Sequence, residues 1–217
     1  MITIHGLFGS PFVRALRIAL AEKALPWAWA PFAIGQQKQE PYLSRQPFGK
    51  IPAMEDDGFG LYETQAMLRY IERKAPAPTL IPSDLREAAR MDQLLGITDC
   101  ALWPTVCLPI NFNRLVAPRL GMQVDEAAIE AALPHAKTTI RAIAGLMGEG
   151  PFLTGDVFSL ADAAIIPHLD MLASTPEGRP LMDAQPRLTA WLALVRQRPS
   201  VIASRRPPEE VLGVAAA

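Results

Sequence analysis

Three short segments in the first third of the chain put polar groups where backbone geometry would offer them to a ligand. The first is Ser10-Pro11. Serine is a preferred helix N-cap and proline a preferred first helical residue, so the pair fixes where a helix starts. A hydroxyl there lies among backbone N–H groups at the positive end of the helix dipole, where an anion is favoured. No Asp-His relay is visible to make Ser10 a nucleophile. Ser10 therefore either only caps the helix or also donates a hydrogen bond to an anion on another molecule. The second segment is Lys50-Ile51-Pro52. Proline at a strand entrance cannot donate to the ladder; it is either an ordinary first strand residue or the second half of a cis bond. A cis Ile51–Pro52 bond would turn the N–H and C=O of Ile51 outward, towards an extended ligand. The third is Glu63-Thr64, which opens a helix. Either residue can simply cap it. Alternatively, the Thr64 hydroxyl and nearby N–H groups hold a ligand carboxylate while Glu63 or Gln65 meets an ammonium.

Other polar residues read as structural. Ser159-Leu-Ala-Asp162 has capping-box spacing with Asp in place of the usual Glu, and Phe158 and Ala163 stand where a hydrophobic staple would. In so apolar a stretch Asp162 is expected to be buried and hydrogen-bonded, and its loss should harm folding before chemistry. Three scattered histidines, His5, His135 and His168, form neither HxxxH nor HExxH, so no metal is expected. Cys100 and Cys107 are too few and too close for a disulfide framework and suit a reducing cytoplasm.

The elements that must position these groups follow from periodicity. Ile2 and Ile4 alternate with polar residues as in a half-buried strand. Phe12, Ala15, Leu16, Ala19 and Leu20 give one apolar helical face. Leu25-Pro26 stops that helix, and Trp27-Ala-Trp29 resumes alternation. Residues 36–46 are polar and irregular, with room for a short exposed helix. Asp56-Asp57-Gly58 is a turn between two short strands, followed by a helix from about Glu63 to Lys74. The order β-α-β-(α)-β-β-α fits a single α/β layer. Three prolines between Lys74 and Pro82 then exclude helix interior and central strand, which marks a domain boundary. Beyond it every period is helical. Ser83 can cap a long helix that Pro104 and Pro109 should kink or break, further helices contain Ile129–Met147 and follow Ser159, and a last one spans roughly Arg187–Arg198. The expected division is 1–75 for the α/β domain, 76–86 for a linker, 87–205 for an all-helical domain and 206–217 for a flexible tail.

Bulk composition agrees. Of 217 residues, 50% are apolar and 20% charged, which rules out disorder over most of the chain. Lys plus Arg number 21 against 22 Asp plus Glu, so there is no basic excess to hold nucleic acid. The longest charge-free run, 100–113, is shorter than the roughly 18 residues of a membrane helix, and no membrane partner is expected.

Together these motifs resemble cytosolic glutathione S-transferases over nearly the whole chain. Ser10-Pro-Phe-Val is similar to the Ser-Pro-Phe segment of tau-class enzymes and, more loosely, to the phi and theta serines. Gly49-Lys-Ile-Pro-Ala-Met resembles the segment around the family's cis-proline, and Leu61–Ile71 its Glu-Ser motif with Thr64 in place of Ser. Phe152-Leu-Thr-Gly-Asp156 with Ser159–Asp162 resembles its second-domain folding motif, and Pro186–Trp191 with Arg198–Val201 its final helix. The resemblance implies a thioredoxin-like amino domain that binds glutathione, an all-helical domain forming most of a pocket for an apolar electrophile, and a homodimer. It implies that Ser10 hydrogen-bonds the glutathione sulfur and that Ile51, before Pro52, pairs with the cysteinyl unit. Glu63 and Thr64 would hold the γ-glutamyl end, and Lys50 and Lys38 would meet the glycyl carboxylate. Asp99 would reach the partner's glutathione. Candidates for the pocket are Leu7, Phe8, Phe12, Trp103, Cys107 and Phe112, each of which could equally fill the core. A cysteine at the Ser10 position would imply thiol–disulfide exchange, but no Cys precedes position 100. A non-catalytic glutathione-binding relative, or a glutathione-dependent isomerase or lyase, would share the same motifs.

Overall fold

Strand β1, Ile2–His5, buries both isoleucines and leaves Thr3 and His5 partly exposed, as its alternation requires. Helix α1, Pro11–Glu22, follows under the Ser10 cap and buries Val13, Leu16 and Leu20. Strand β2 is Trp27–Ala30, after which Gln36–Lys38 makes one 3₁₀ turn. Strands β3, Ala53–Asp56, and β4, Phe59–Tyr62, form the hairpin, with Asp57 (φ 50°) and Gly58 (φ 87°) supplying the two left-handed residues of its turn. Helix α2, Thr64–Lys74, completes the layer. The sheet order is β2-β1-β3-β4, with β1 parallel to β2 and both other pairings antiparallel. This is the architecture of a computed structural model that describes residues 1–30 and 32–205; the tail expected over 206–217 lies outside them.

The described residues divide into two units, Met1–Thr79 together with 198–205, and Leu80–Gln197. The sequence placed 198–205 in the helical domain. Instead, the short helix at the end, Pro199–Ala203, packs on α1. Arg198 forks onto Glu22 at 2.5 and 2.7 Å, the Ser200 hydroxyl bonds the same carboxylate, and Arg14 Nε reaches Ser204 Oγ at 3.1 Å. Next to Glu22 in sequence, buried Lys23 pairs with Glu72 and donates to the Pro78 carbonyl.

In the second unit Asp84, not Ser83, caps helix α3, Leu85–Ile97: its Oδ1 accepts from Arg86 N at 2.9 Å and Glu87 N at 3.0 Å. The helix does not break at Pro104 or Pro109. It widens into a π-helical stretch, Thr98–Val116, and ends in a 3₁₀ turn, Ala117–Leu120. The buried residues Thr98, Leu102, Val106 with Cys107, and Ile110 with Asn111 recur every four to five positions, the wider spacing that i→i+5 bonding imposes. By length and composition alone the run Leu85–Leu120 could cross a membrane, contrary to the sequence expectation. Its buried polar residues and its packing on the next two helices assign it to the core of this unit. Those helices are α4, Glu126–Gly145, and α5, Leu160–Leu172. Arg114 ties the end of the long run to Glu126 (2.6 and 2.7 Å) and Glu177 (2.9 and 2.6 Å). Helices α6, Gly178–Asp183, and α7, Pro186–Val195, close the unit; the terminal one, α8, is the Pro199–Ala203 helix of the first unit.

Candidate functional site

Register decides which residues of the first unit gather. His5, the last residue of β1, pairs with Ala30 at the end of β2 and with Ala53 at the start of β3, and Ala53 pairs with Tyr62 at the end of β4. One row of the sheet thus ends all four strands on the same side. The segments leaving that row are those leading to Ser10 and Lys38, the Ile51–Pro52 dipeptide, and Glu63–Thr64. Gly6 shows how closely they approach: a Cβ there would sit 2.7 Å from Val13 Cγ2 and 3.5 Å from Pro52 Cα.

Ser10 caps α1 with its Oγ accepting from Val13 N at a long 3.4 Å, while its own N–H is held by the Leu7 carbonyl at 3.0 Å. An oxygen that accepts from the helix still has its hydroxyl proton to donate. The first turn of α1 carries no acidic residue, so nothing in that turn offsets the positive helix end. The Ile51–Pro52 bond is cis. Ile51 precedes the first ladder pair, Ala53 with Tyr62, so its backbone groups stand outside the sheet's own pairing. Glu63 takes φ +69°, a left-handed conformation rare for a residue with a side chain and costing about 1–3 kcal/mol. Its carboxylate does not cap the helix and is exposed, while Thr64 is buried to 9% exposure.

Lys38 and Lys50 are both exposed, and they converge through Gly49. Gly49 has φ +59°, and a Cβ on it would meet Lys38 Cδ at 2.9 Å, Lys38 Nζ at 3.0 Å and the Gln37 carbonyl oxygen at 2.9 Å. Only glycine lets the lysine lie this close to the neighbour of the other cation. His5 sits on the same row, its pKa lowered by burial and then by Arg45, which keeps it neutral at physiological pH.

The remaining candidates divide. Leu7 and Phe12 are half-buried beside the Ser10 cap in sequence. Phe8 is engaged within the first unit, its ring 4.4 Å from the Arg17 guanidinium and edge-on to Trp29 at 4.2 Å. In the helical unit Asp99 is exposed, and Trp103 and Phe112 are half-buried, all on the π-helical stretch. Cys107 is a correction: it is 3% exposed, its Sγ lies 3.0 Å from His168 Nδ1, and burial pushes its thiol pKa up. It belongs to the core of that unit, as does His168, whose pKa burial lowers to about 3. Asp162 is fully buried as expected, and it accepts from Ser159 N and Oγ (2.8 Å each), Leu153 N (3.0 Å) and Trp191 Nε1 (2.8 Å). Among the described residues no three His, Cys, Asp or Glu side chains gather as a metal centre would need. Two groups at the site carried no sequence signal of their own, Tyr42 and Gln46, whose side chains bond the backbone of Lys50.

Comparison with known proteins shows the family. Residues 4–79 match the family profile of the glutathione S-transferase N-terminal domain, and residues 126–194 that of its C-terminal domain. Glutathione S-transferase F7 of Arabidopsis thaliana is 30% identical over 203 residues, covering 92% of this chain and 96% of that protein. The crystal structure of glutathione transferase F7 from Populus trichocarpa superposes with a TM-score of 0.84 at 26% identity, covering all of both chains. Maize glutathione S-transferase I, solved in complex with an atrazine glutathione conjugate, gives 0.80 at 28% identity, with 94% of this chain and 95% of that one covered. On profile, sequence and structure alike, the chain belongs to the glutathione S-transferase family and is a glutathione transferase.

Proposed function

We propose that Ser10 holds the glutathione sulfur as a thiolate and that the sulfur attacks the electrophilic carbon of an apolar substrate. The observation that carries this reading is the single sheet row from which Ser10, Ile51–Pro52 and Glu63–Thr64 all depart, with the Ser10 hydroxyl proton left to donate. A free thiol titrates near about 8.5, so only a few per cent is ionised at neutral pH. Each unit of lowered pKa corresponds to about 1.4 kcal/mol of preference for the thiolate over the thiol. A hydroxyl donor at an uncompensated helix N-terminus is a source of that preference, and a shift of about two units makes most bound glutathione reactive. The thiol proton passes to water, the sulfur forms a bond to carbon, and an aryl halide loses its halide. The backbone of Ile51 pairs with the cysteinyl unit, Glu63 and Thr64 take the γ-glutamyl end, and Lys38 with Lys50 takes the glycyl carboxylate. The conjugate bound to the maize relative supports this class of product.

Contacts to the electrophile are proposed for Leu7, Phe8, Phe12, Trp103 and Phe112. The homodimer, with Asp99 reaching the partner's glutathione, and the cytoplasmic location are also proposals; the free thiols Cys100 and Cys107 suit a reducing compartment. Retention on immobilised glutathione together with turnover of chlorodinitrobenzene tests the activity. Retention without turnover across several electrophiles would replace it with a binding role.

A further inference from the structure

We propose that Tyr42 is a positioning residue for glutathione: through its hydroxyl it fixes the main chain of Lys50 and so aims that lysine at the glycyl carboxylate. The inference rests on the proposed glutathione site and goes beyond it. Lys50 lies in an exposed connection before β3, outside every strand pairing, yet both of its backbone groups are held by side chains. Tyr42 Oη donates to the Lys50 carbonyl at 2.7 Å, and the Lys50 N–H donates to Gln46 Oε1 at 3.0 Å. Both partners belong to one turn, closed by Gln46 N to the Tyr42 carbonyl at 3.0 Å, and the Gln46 carbonyl in turn accepts from Gly49 N at 3.0 Å. Lys50 and Gly49, against which Lys38 lies, therefore take their direction from the same small frame.

The frame is rigid because Tyr42 is only 6% exposed and its ring packs edge-on against Phe32 at 4.7 Å. Burial also pushes the phenol pKa up, which keeps the hydroxyl a donor at every physiological pH. Packing and positioning are separable here: the ring does the first, and the hydroxyl does the second on one carbonyl. Tyr42→Phe removes only the latter.

The test is steady-state kinetics with glutathione and with γ-glutamylcysteine, which lacks the glycyl residue, for wild type, Tyr42→Phe, Lys50→Met and the double variant. Tyr42→Phe should raise KM for glutathione about fivefold, the scale of one ordinary hydrogen bond, and leave kcat unchanged. KM for γ-glutamylcysteine should not move. The double variant should match Lys50→Met, because the hydroxyl acts through that lysine. An equal rise for both thiols, a fall in kcat, multiplying effects in the double variant, or no effect at all overturns the positioning role. A wild type that neither binds nor turns over glutathione overturns the proposed function as well, whereas an active wild type with an unaffected Tyr42→Phe overturns the positioning role alone.

Discussion

Two serines cap helices in this protein, and their surroundings are opposite. Ser159 is fully buried; its N–H and hydroxyl both donate to Asp162, a carboxylate in the first turn of the helix it caps. Ser10 is half-buried, accepts one long bond and caps a first turn without a carboxylate. In the helical unit, then, the polar groups around the cap are satisfied internally and fasten α5 to Leu153 and to Trp191 of α7. In the α/β unit the same residue type keeps donor capacity and a bare helix dipole. The difference teaches that a cap motif alone says nothing about function. What separates the two is whether a carboxylate within the chain has already taken the place an external anion would occupy.

The largest effect that could break this contrast belongs to Asp162. Asp162→Ala leaves four buried donors without their acceptor, which costs at least about 4 kcal/mol. Against a total stability of roughly 5–15 kcal/mol, soluble yield should collapse while the specific activity of the surviving protein stays near wild type. Yield and active-site titration on the same preparation check this. Ser10→Ala should do the reverse. It should keep the fold by circular dichroism and lower the conjugation rate at neutral pH by one to three orders of magnitude, at about 1.4 kcal/mol per tenfold, with modest change in glutathione affinity. An undiminished rate would show that another group carries the sulfur and would erase the functional half of the contrast.

A third prediction sharpens the electrostatic side. Asp56, at the end of β3, bonds Lys74 Nζ at 2.6 Å and Tyr70 Oη at 2.7 Å, and these partners lower its pKa from 3.8 to about 2. A carboxylate depressed in the folded state stabilises the fold above its unfolded pKa, and that contribution is lost as the pH falls through the folded value. Asp56→Asn should cost about 2 kcal/mol in urea unfolding at pH 7, as for a hydrogen bond to a charged group. The gap from wild type should close between about pH 4 and pH 2. The smallest effect is expected at the two cations. Gly49→Ala introduces a side chain at φ +59° and pushes into Lys38, so KM for glutathione should rise about threefold with kcat unchanged.

How much of this was legible depended on whether the signal was local. Ser10-Pro11, the Asp57-Gly58 turn and the Ser159–Asp162 box are each decided within four residues, and the structure builds all three. Residues whose partners lie far away gave no pattern. Nothing near Arg198 announces that it pairs with Glu22, 176 positions earlier, so the last helix was assigned to the wrong unit. Pro104 and Pro109 do not break the helix, for a related reason. Each is a local breaker, yet packing on α4 and α5 carries the helix past both with a wider turn. Tyr42 escaped because its bond to Lys50 follows no period. Cys107 illustrates the converse error: an apolar pocket wall and an apolar core have the same composition, and only burial separates them.

The bridge from Arg198 to Glu22 has a consequence for how the protein is made. During synthesis the segment 198–205 leaves the ribosome only after the whole helical unit has been translated, at roughly 5–20 residues per second. Until then the α/β unit lacks the partner that Glu22 and the arginines of α1 take in the finished protein. The unit translated first is thus completed last, and glutathione binding should mature only once segment 198–205 has emerged and docked on α1.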